Sequence, residues 1–412
     1  MDGPIGEAVS RADAAVSGIG HAPSTLSQYR WAWSQIESFC EGAGAVELTE
    51  EVVASFLRFV ALEHREGRVR DWKRKLLRKA ALVLWEAAST GSYTWRVSRA
   101  AHPNDVVDPE LRPVQEQFEQ WLTGRGLAPA TADLYATVSR KVLAWLPERG
   151  VDDVRRLSGA DVSAATVFLA SSYRPSSMRT VATALRALCL FVEDSGWCVG
   201  LSRAVPTTFS RRTRPVSVVS AQDVEAVVSS PDPTTPVGRR NRAMLLLAAR
   251  TGLRPSDIAG LRLGDIDWRR SLITVTQRKT ATTLTLPLLA DVGAAVAEYL
   301  LHGRPSGVDD DHVFLRSQAP FAGRELSCLH HVASDAFARS KTAPDGGGRG
   351  MRVLRASLAT RMIEADTPLP VVAQALGHRG TASTRHYLAA DESRMRQCCL
   401  DFAGIEPRRV AP

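Results

Sequence analysis

A weak internal repeat constrains the fold of the first half of the chain more than any other feature. In both copies, a helix that starts with Thr-x-x-x-Tyr ends near a glycine and is followed later by an apolar helix. Matching residue types recur at a separation of 106 positions in Thr25/Thr131, Tyr29/Tyr135, Phe39/Trp145, Gly44/Gly150, Ala81/Ala187, Leu82/Leu188, Leu84/Leu190 and Trp85/Phe191. The repeat favours two small helical domains in succession, although chance similarity between two Ala- and Leu-rich helical regions would give the same pattern.

Two stretches without helical periodicity divide the chain. Residues 103–113 carry Pro and Asp and indicate a link between the two copies. Residues 201–219 contain arginines and prolines but no acidic residue, which is typical of an extended basic connector. We therefore predict helical domains over 1–105 and 106–210, a basic linker over 211–219 and a third domain over 220–412.

The third domain is predicted to be mainly helical with a small antiparallel sheet. Ser220 and Asp223 have the spacing of a capping box, residues 241–250 indicate a buried helix, and Pro255 suits the start of another. Apolar and polar residues alternate over 272–276 and 282–286, on either side of a turn, as in a β-hairpin. The rest of this domain is expected to be helical, apart from a Gly-rich loop at 345–350. The fold class is thus mainly α with a small antiparallel β-sheet in the C-terminal domain.

Charge and apolar patterning indicate a soluble protein that binds a polyanion. The 412 residues include 52 basic and 44 acidic side chains, a net charge of +8, which favours nucleic acid before an acidic membrane. The longest apolar stretch, 243–249, is far shorter than the roughly 20 residues that cross a bilayer, and residues 1–20 lack a secretion signal. The six cysteines form no Cys-x-x-Cys pair, so no disulfide framework or zinc site is expected. These features predict a cytoplasmic, nucleoid-associated protein without a metal.

Five short motifs occur in one order in the second half of the chain. They are TGLRPSD at 251–257, QRKT at 277–280, LRASLAT at 354–360, LGH at 376–378 and TRHY at 384–387. Together they resemble the tyrosine recombinase (phage integrase) family. The resemblance is strong over 216–404, and residues 112–199 more weakly resemble the family's core-binding domain. It implies a DNA-binding N-terminal domain, a core-binding domain and a catalytic domain with a C-terminal tail.

The resemblance implies a covalent mechanism without a metal or nucleotide cofactor. In the family, a tyrosine hydroxyl attacks a DNA phosphate, forming a 3′-phosphotyrosyl link and releasing a 5′-hydroxyl that then attacks the partner strand. Tyr387 is the expected nucleophile. Arg254 and Arg355 would hold the non-bridging oxygens of the phosphate with paired hydrogen bonds. Lys279, with Arg278 as the alternative, would protonate the departing oxygen as general acid, and His378 would hydrogen-bond the phosphate.

One position departs from the family pattern. The family usually has His, sometimes Lys, three residues before its second arginine, whereas this chain has Arg352. Arginine cannot accept a proton from the tyrosine. We therefore hypothesise that Arg352 adds a third phosphate contact, while water, His378 or His386 accepts the proton. Under this hypothesis an Arg352→Ala protein is inactive, and cleavage at the wild-type rate would contradict it.

Several basic residues are expected to hold DNA. The stretch 65–79 has eight basic and two acidic residues, and like charges four apart repel unless an anion such as DNA phosphate lies opposite. A solvated basic helix face is the alternative. Lys73 falls at the repeat offset from Arg179, which lies in the helix that contacts DNA in the family's core-binding domain. The predicted nucleic-acid-binding residues are Lys73, Arg74, Lys75, Arg78, Arg140, Lys141, Arg179, Arg186, Arg211, Arg212 and Arg214.

The resemblance predicts a site-specific recombinase for integration, excision or transposition of a mobile element. Its expected partners are double-stranded recombination sites, a homo-tetramer on two duplexes and possible accessory proteins. The tail after Tyr387 would dock either into a neighbouring protomer or onto its own domain. Two alternatives remain open at this point. One is a weak or inactive DNA-binding relative, and the other is a type IB topoisomerase-like enzyme.

Overall fold

The computed structural model describes residues 4–93, 107–207, 216–323, 326–344 and 347–388. The chain divides into two compact units, one comprising 97–213 and the other comprising 1–96 with 214–412. Both contain helices, and one small sheet lies in the C-terminal part, so the predicted fold class is confirmed. Within the described residues, no helix is long and apolar enough to cross a membrane.

Four helices form the N-terminal part. They are α1 (Pro4–Ser17), α2 (Pro23–Gly42), α3 (Glu50–Arg65) and α4 (Asp71–Thr90). Helix α4 packs against the other three, and their shared core contains the fully buried rings of Trp33 and Phe56. Thr49 begins α3 by accepting a hydrogen bond from the N–H of Val52. These helices therefore enclose a core of their own.

The second helical set, like the first, contains four α-helices. It comprises α5 (Arg112–Thr123), α6 (Pro129–Trp145), α7 (Gly159–Ser172) and α8 (Met178–Asp194), with short 3₁₀ turns at Leu146–Arg149, Val154–Arg156, Pro175–Ser177 and Leu201–Ala204. Helix α8 packs against α5, α6 and α7. Its buried residues Val181, Leu185 and Leu188 recur at helical spacing and form the centre of this core.

The two helical sets share the turn positions of the repeat. Helices α2 and α6 begin at Pro23 and Pro129, which are 106 positions apart. The paired glycines Gly44 and Gly150 both adopt a positive φ, 67° and 73°, so both copies need a residue without a Cβ where the chain reverses. Each set also packs its fourth helix against the other three. That the first set is a duplicate of the second stays a prediction.

The C-terminal part is built around a buried helix. Its helices are α9 (Ala221–Ser229), α10 (Pro236–Thr251), α11 (Pro255–Ala259), α12 (Ala290–His302), α13 (Leu326–Arg339), α14 (Met351–Glu364), α15 (Leu369–Ala375) and α16 (Arg385–Leu388). Helix α10 packs against α9, α11, α12, α13 and α14. It begins five residues before the predicted start at 241, because the Thr235 hydroxyl accepts the N–H of Gly238 and Pro236 occupies the first turn.

A three-stranded antiparallel sheet lies beside these helices. Its strands are β1 (Ile266–Asp267), β2 (Leu272–Thr276) and β3 (Thr283–Pro287), in the order β1-β2-β3. Ile273 pairs with Leu286 and Val275 with Leu284, so the apolar side chains on one face meet the core. The predicted hairpin is observed, with its second strand displaced by one residue.

The prediction that the remainder of this domain is helical is wrong for residues 303–323. This segment is irregular and makes isolated bridges from His312 to Arg262 and from Leu315 to Gly323. Pro305 and Pro320 oppose helix formation, while Phe314 and its neighbours are completely buried in the core. Burial of the short apolar run around Phe314 therefore holds this segment in place, although the segment forms no regular helix or strand.

Candidate active site

Arg254 is positioned by a tight junction between two helices. Helix α10 is capped at its C-terminus by Gly252, which has a φ of 65°, and Arg254 follows at the N-cap of α11. A Cβ on Gly252 would lie 2.7 Å from the Leu376 side chain. Glycine thus allows the loop before α11 to pack closely against the end of α15.

Three groups hold the Arg254 guanidinium. Its Nη1 donates to Oε1 of Gln277, and its Nη2 donates to the carbonyl oxygen of Gly377 at 3.2 Å. The carboxylate of Asp257, which is 2% exposed, lies 3.9 Å from Nη1. Asp257 in turn accepts the backbone N–H of Arg278 at 3.3 Å. Arg254 is therefore fixed both to the hairpin and to the loop after α15.

Arg355 lies on α14 and is only 5% exposed. Its guanidinium donates to the carbonyl oxygens of Gly252 and Leu376 and to Nε2 of His378, the last two at 2.9 and 2.8 Å. Burial lowers the pKa of Arg355, the nearby hydroxyl of Tyr387 raises it, and the charge of Arg254 lowers it. Because guanidinium has five N–H donors, these three contacts leave donors available for a phosphate.

His378 is presented by the glycine turn that ends α15. Gly377 has a φ of 63°, and the N–H of His378 donates to the Ala373 carbonyl at 2.8 Å, as in a helix C-terminal motif. Since Arg355 can only donate, Nε2 of His378 accepts, and we assign the proton to Nδ1, which lies 2.8 Å from the Thr384 hydroxyl oxygen. Burial, followed by the charges of Arg355 and Arg254, lowers the pKa of His378 to about 4. The imidazole is therefore neutral near pH 7.

Tyr387 lies on the short helix α16 and is 6% exposed. Its ring packs in a small core that includes Ala356, Val372 and Leu376. The ring centroid lies 6.4 Å from that of His378, with nearly parallel planes, and 4.1 Å from that of His386. The structure thus brings Tyr387 together with Arg254, Arg355 and His378.

Lys279 and Arg352 are both exposed. Lys279 follows β2 in the hairpin turn, and its charge contributes to the lowered pKa of His378, so it lies within electrostatic range of that ring. The side chain of Arg278, its alternative, lies against Gly260. Arg352 is in the first turn of α14, three residues before Arg355. The role hypothesised for Arg352 stays a prediction.

The chain is similar to known proteins over the segment that contains this cluster. Residues 217–394 match the model of the phage integrase family. The integrase/recombinase y4rF of Sinorhizobium fredii is 31% identical over 314 residues, covering 73% of this chain and 72% of that protein. The chain belongs to the phage integrase family of tyrosine recombinases. The recombinase is also 27% identical to the tyrosine recombinase XerD of Yersinia pestis over 303 residues, covering 69% and 95% of the two chains.

Solved structures share the fold of this recombinase at low sequence identity. A XerH site-specific recombinase bound to palindromic difH substrate aligns with a TM-score of 0.55 and 16% identity, covering 69% of this chain and 83% of that chain. A lambda integrase dimer bound to a COC′ core site aligns with a TM-score of 0.52 and 16% identity, covering 73% and 99%. Family membership makes the recombinase an enzyme that cleaves and rejoins DNA.

Sequence reasoning missed Gln277 as a residue of this site. It is completely buried, its Oε1 accepts from Arg254 and from the Thr280 hydroxyl, and its Nε2 donates to the Leu376 carbonyl at 3.2 Å. One signal was present in the sequence. Gln277 continues the inward alternation of Ile273 and Val275, so it places a polar side chain where the strand pattern requires a core residue.

Thr384 was missed as well. It is completely buried, and its hydroxyl oxygen contacts Nδ1 of His378. A threonine three residues before a tyrosine carries no signal of its own, because its contact with His378, six residues earlier, depends on how the chain folds between α15 and α16. The hydroxyl oxygen accepts the Nδ1 proton that the Arg355 contact assigns, and so helps to hold the His378 ring against Arg355.

The Gln277→Ala variant is expected to cleave DNA about 100-fold more slowly while binding duplex DNA as wild type does. The reason is that Gln277 positions Arg254, the predicted phosphate-binding arginine, without facing solvent, and a small misplacement of a catalytic group costs about that factor. Cleavage of a substrate with a 5′-bridging sulfur separates this effect from loss of the general acid that is predicted at Lys279, because a thiolate leaves without protonation. This substrate is expected to rescue Lys279→Ala but not Gln277→Ala.

The control for Gln277→Ala is Thr274→Ala, which alters the exposed face of the same strand. It is expected to cleave at the wild-type rate. Wild-type cleavage by Gln277→Ala, or full rescue of that variant by the bridging sulfur, would contradict the positioning role.

The basic residues predicted to contact DNA differ in their surroundings. Arg179 is exposed, whereas Arg140 pairs with Glu119 and Arg186 donates to the carbonyl oxygens of Val205 and Pro206. Lys141 lies 6.0 Å from the Tyr173 ring, and Arg78 is partly buried. Arg211, Arg212 and Arg214, like the tail after Leu388, lie outside the described residues.

Part of the repulsion predicted along α4 is offset within the helix. Asp71 in its first turn binds Lys75 and Arg74, each at 2.6 Å. The hydrogen bonds from Lys75 and Arg74 lower the pKa of Asp71 to about 2. Asp71 thus supplies a negative charge within α4 itself. The repulsion between basic side chains of α4 is therefore a weaker argument for DNA binding than the sequence indicated.

Proposed function

We propose that the recombinase exchanges DNA strands at specific sites of a mobile element through a 3′-phosphotyrosyl intermediate at Tyr387. The phenolic oxygen forms a bond to the scissile phosphorus, and the bond from phosphorus to the 5′ oxygen breaks. Lys279 donates a proton to that oxygen, giving a 5′-hydroxyl. The phosphoryl group is later returned when a 5′-hydroxyl of the partner strand attacks, which reverses the chemistry and releases Tyr387.

The convergence of Arg254, Arg355 and His378 beside Tyr387 carries this proposal. Negative charge builds on the non-bridging phosphate oxygens during attack, and two prearranged guanidinium groups stabilise it. Neither guanidinium must be reoriented first, because each is already anchored to backbone carbonyls. Arg352, on the same helix as Arg355, is proposed to add a third contact.

The proton of Tyr387 needs an acceptor other than Arg352. In the described structure Nε2 of His378 already accepts from Arg355, which supports a role for His378 in orienting that arginine. His386 is exposed, and its ring centroid is 4.1 Å from that of Tyr387. We assign proton acceptance to His386, with the solvent beyond it.

DNA binding is proposed for both helical sets. Lys73 and Arg179 occupy the same repeat position, and the α4 and α8 surfaces would contact phosphates of the duplex, assisted by the residues around them and by the basic linker. A tetramer on two duplexes is proposed as the active assembly. A lambda integrase tetramer bound to a Holliday junction is among the solved structures that share the fold, with a TM-score of 0.52.

A plasmid that carries two copies of the element's junction sequence distinguishes a recombinase from an enzyme that only relaxes supercoils. The recombinase is expected to yield recombinant circles only when both copies are present, because strand exchange requires a second cleaved site. Single-copy plasmid is the control. Efficient relaxation of supercoils without recombinants, on either plasmid, would instead establish a topoisomerase-like activity.

A further inference from the structure

A groove lies between the first half of α2, the loop before α4 and the first turns of α4. It encloses about 570 Å³ and is lined by Gln28, Trp31, Arg68, Arg70, Trp72 and Lys73 among others. This volume lies within the range of sites that hold small ligands. The groove belongs to the N-terminal helices and shares no residue with the site around Tyr387.

Two tryptophans form the aromatic part of the groove. Trp72 is 58% exposed, although a side chain of its size normally buries most of its surface. Trp31 is partly buried, and Nζ of Lys73 lies 4.7 Å from the centroid of its ring. An exposed indole beside a cation-covered indole provides a stacking surface with positive charge around it.

The cations of the groove are only partly neutralised. Arg68 binds Glu63 and Glu66. Among the described residues, no carboxylate lies within ion-pair distance of Arg70 or Lys73. Two positive charges next to exposed aromatic surface are therefore available for an anionic, aromatic ligand.

The second helical set lacks this aromatic surface. When the two copies are aligned at the offset of 106 positions, Trp31 corresponds to Thr137 and Trp72 corresponds to Met178. The basic residue Lys73 corresponds to Arg179, which is also basic. Met178 is buried. The aromatic groove is thus a property of the first set and not a requirement of the shared helical arrangement.

We propose that the groove between α2 and α4 binds single-stranded DNA, with an unpaired base stacked on Trp72 and the adjoining phosphates on Arg70 and Lys73. Aromatic platforms within a basic groove are how proteins bind single strands without reading their sequence. In a duplex the base faces are already stacked and leave no face for an indole. The inference rests on the proposed recombinase function, because strand exchange passes through unpaired strands.

Fluorescence anisotropy with a labelled single strand of about 16 nucleotides, and with the same strand annealed to its complement, tests the proposal. The protein is the full chain carrying Tyr387→Phe, so that binding is measured without cleavage. Adding Trp72→Ala is expected to weaken single-strand binding about tenfold and duplex binding less than about twofold. Trp72→Phe, which retains a ring, is expected to remain within about threefold of its parent on the single strand.

Trp268→Ala is the matched control, since Trp268 is 44% exposed in the C-terminal part. It is expected to bind both probes as its parent does. Unchanged single-strand binding by Trp72→Ala, or equal weakening on both probes, would overturn the proposal. A wild-type chain that forms covalent complexes but shows no Trp72-dependent single-strand binding would refute this inference alone, whereas absence of covalent complexes would refute the proposed function.

Discussion

Replacing Arg355 with lysine is expected to slow DNA cleavage by about 10³-fold, while duplex binding changes only severalfold. Removal of one prearranged donor from an anion-stabilising site costs about 10² to 10³ in rate. Lysine retains the charge but has no planar fork, so it cannot contact Gly252, Leu376 and a phosphate together. Single-turnover cleavage of a nicked substrate measures this effect directly.

Folding must be followed in the same experiment, because Arg355 also satisfies buried carbonyl oxygens. Leaving one of them unpaired costs about 1–3 kcal/mol, so the Arg355→Lys protein is expected to melt at a lower temperature. Arg361→Lys is the matched control, since Arg361 lies on the same helix, is not part of the site around Tyr387 and donates to the Ser357 carbonyl. Cleavage by Arg355→Lys within about tenfold of wild type would contradict the assigned role.

The sequence predicted those parts of the fold that depend on local chemistry. Alternating residues around a turn defined the β2–β3 hairpin, and Pro255 marked the start of α11 because it suits a first helical position. The segment 303–323 escaped prediction, since its structure depends on burying Phe314 in a core assembled by distant helices. Local periodicity carries no information about such tertiary anchoring.

The sequence predicted the members of the candidate site that would contact a phosphate, but not the residues that hold them in place. Arg254, Arg355, His378 and Tyr387 stand in motifs that carry a family resemblance, and the structure places them together. Gln277 contacts a carbonyl oxygen 99 positions away, and Thr384 contacts His378 within the connection between α15 and α16. The one sequence signal for Gln277 was that a polar residue occupies a strand position whose side chain should point into the core. Such hydrogen bonds become visible only when the fold brings the two groups together.

The Tyr387→Phe variant is expected to lose covalent attachment to DNA completely while remaining folded. Phenylalanine keeps the ring that packs against Ala356, Val372 and Leu376, so stability should change by about 1 kcal/mol or less. The lost hydroxyl is the only atom of this side chain that can attack phosphorus. Thermal melting and a duplex-binding assay, run beside wild type, check that fold and affinity are retained.

Covalent trapping on nicked DNA from the flanks of the gene tests the central claim most directly. A nick near the cleavage point lets the short released strand diffuse away, so that the protein-linked product accumulates. On a denaturing gel, wild type is expected to give a protein–DNA band and Tyr387→Phe none. A covalent band of equal strength in Tyr387→Phe, or specific native complexes of wild type without any covalent band, would contradict Tyr387 as the nucleophile.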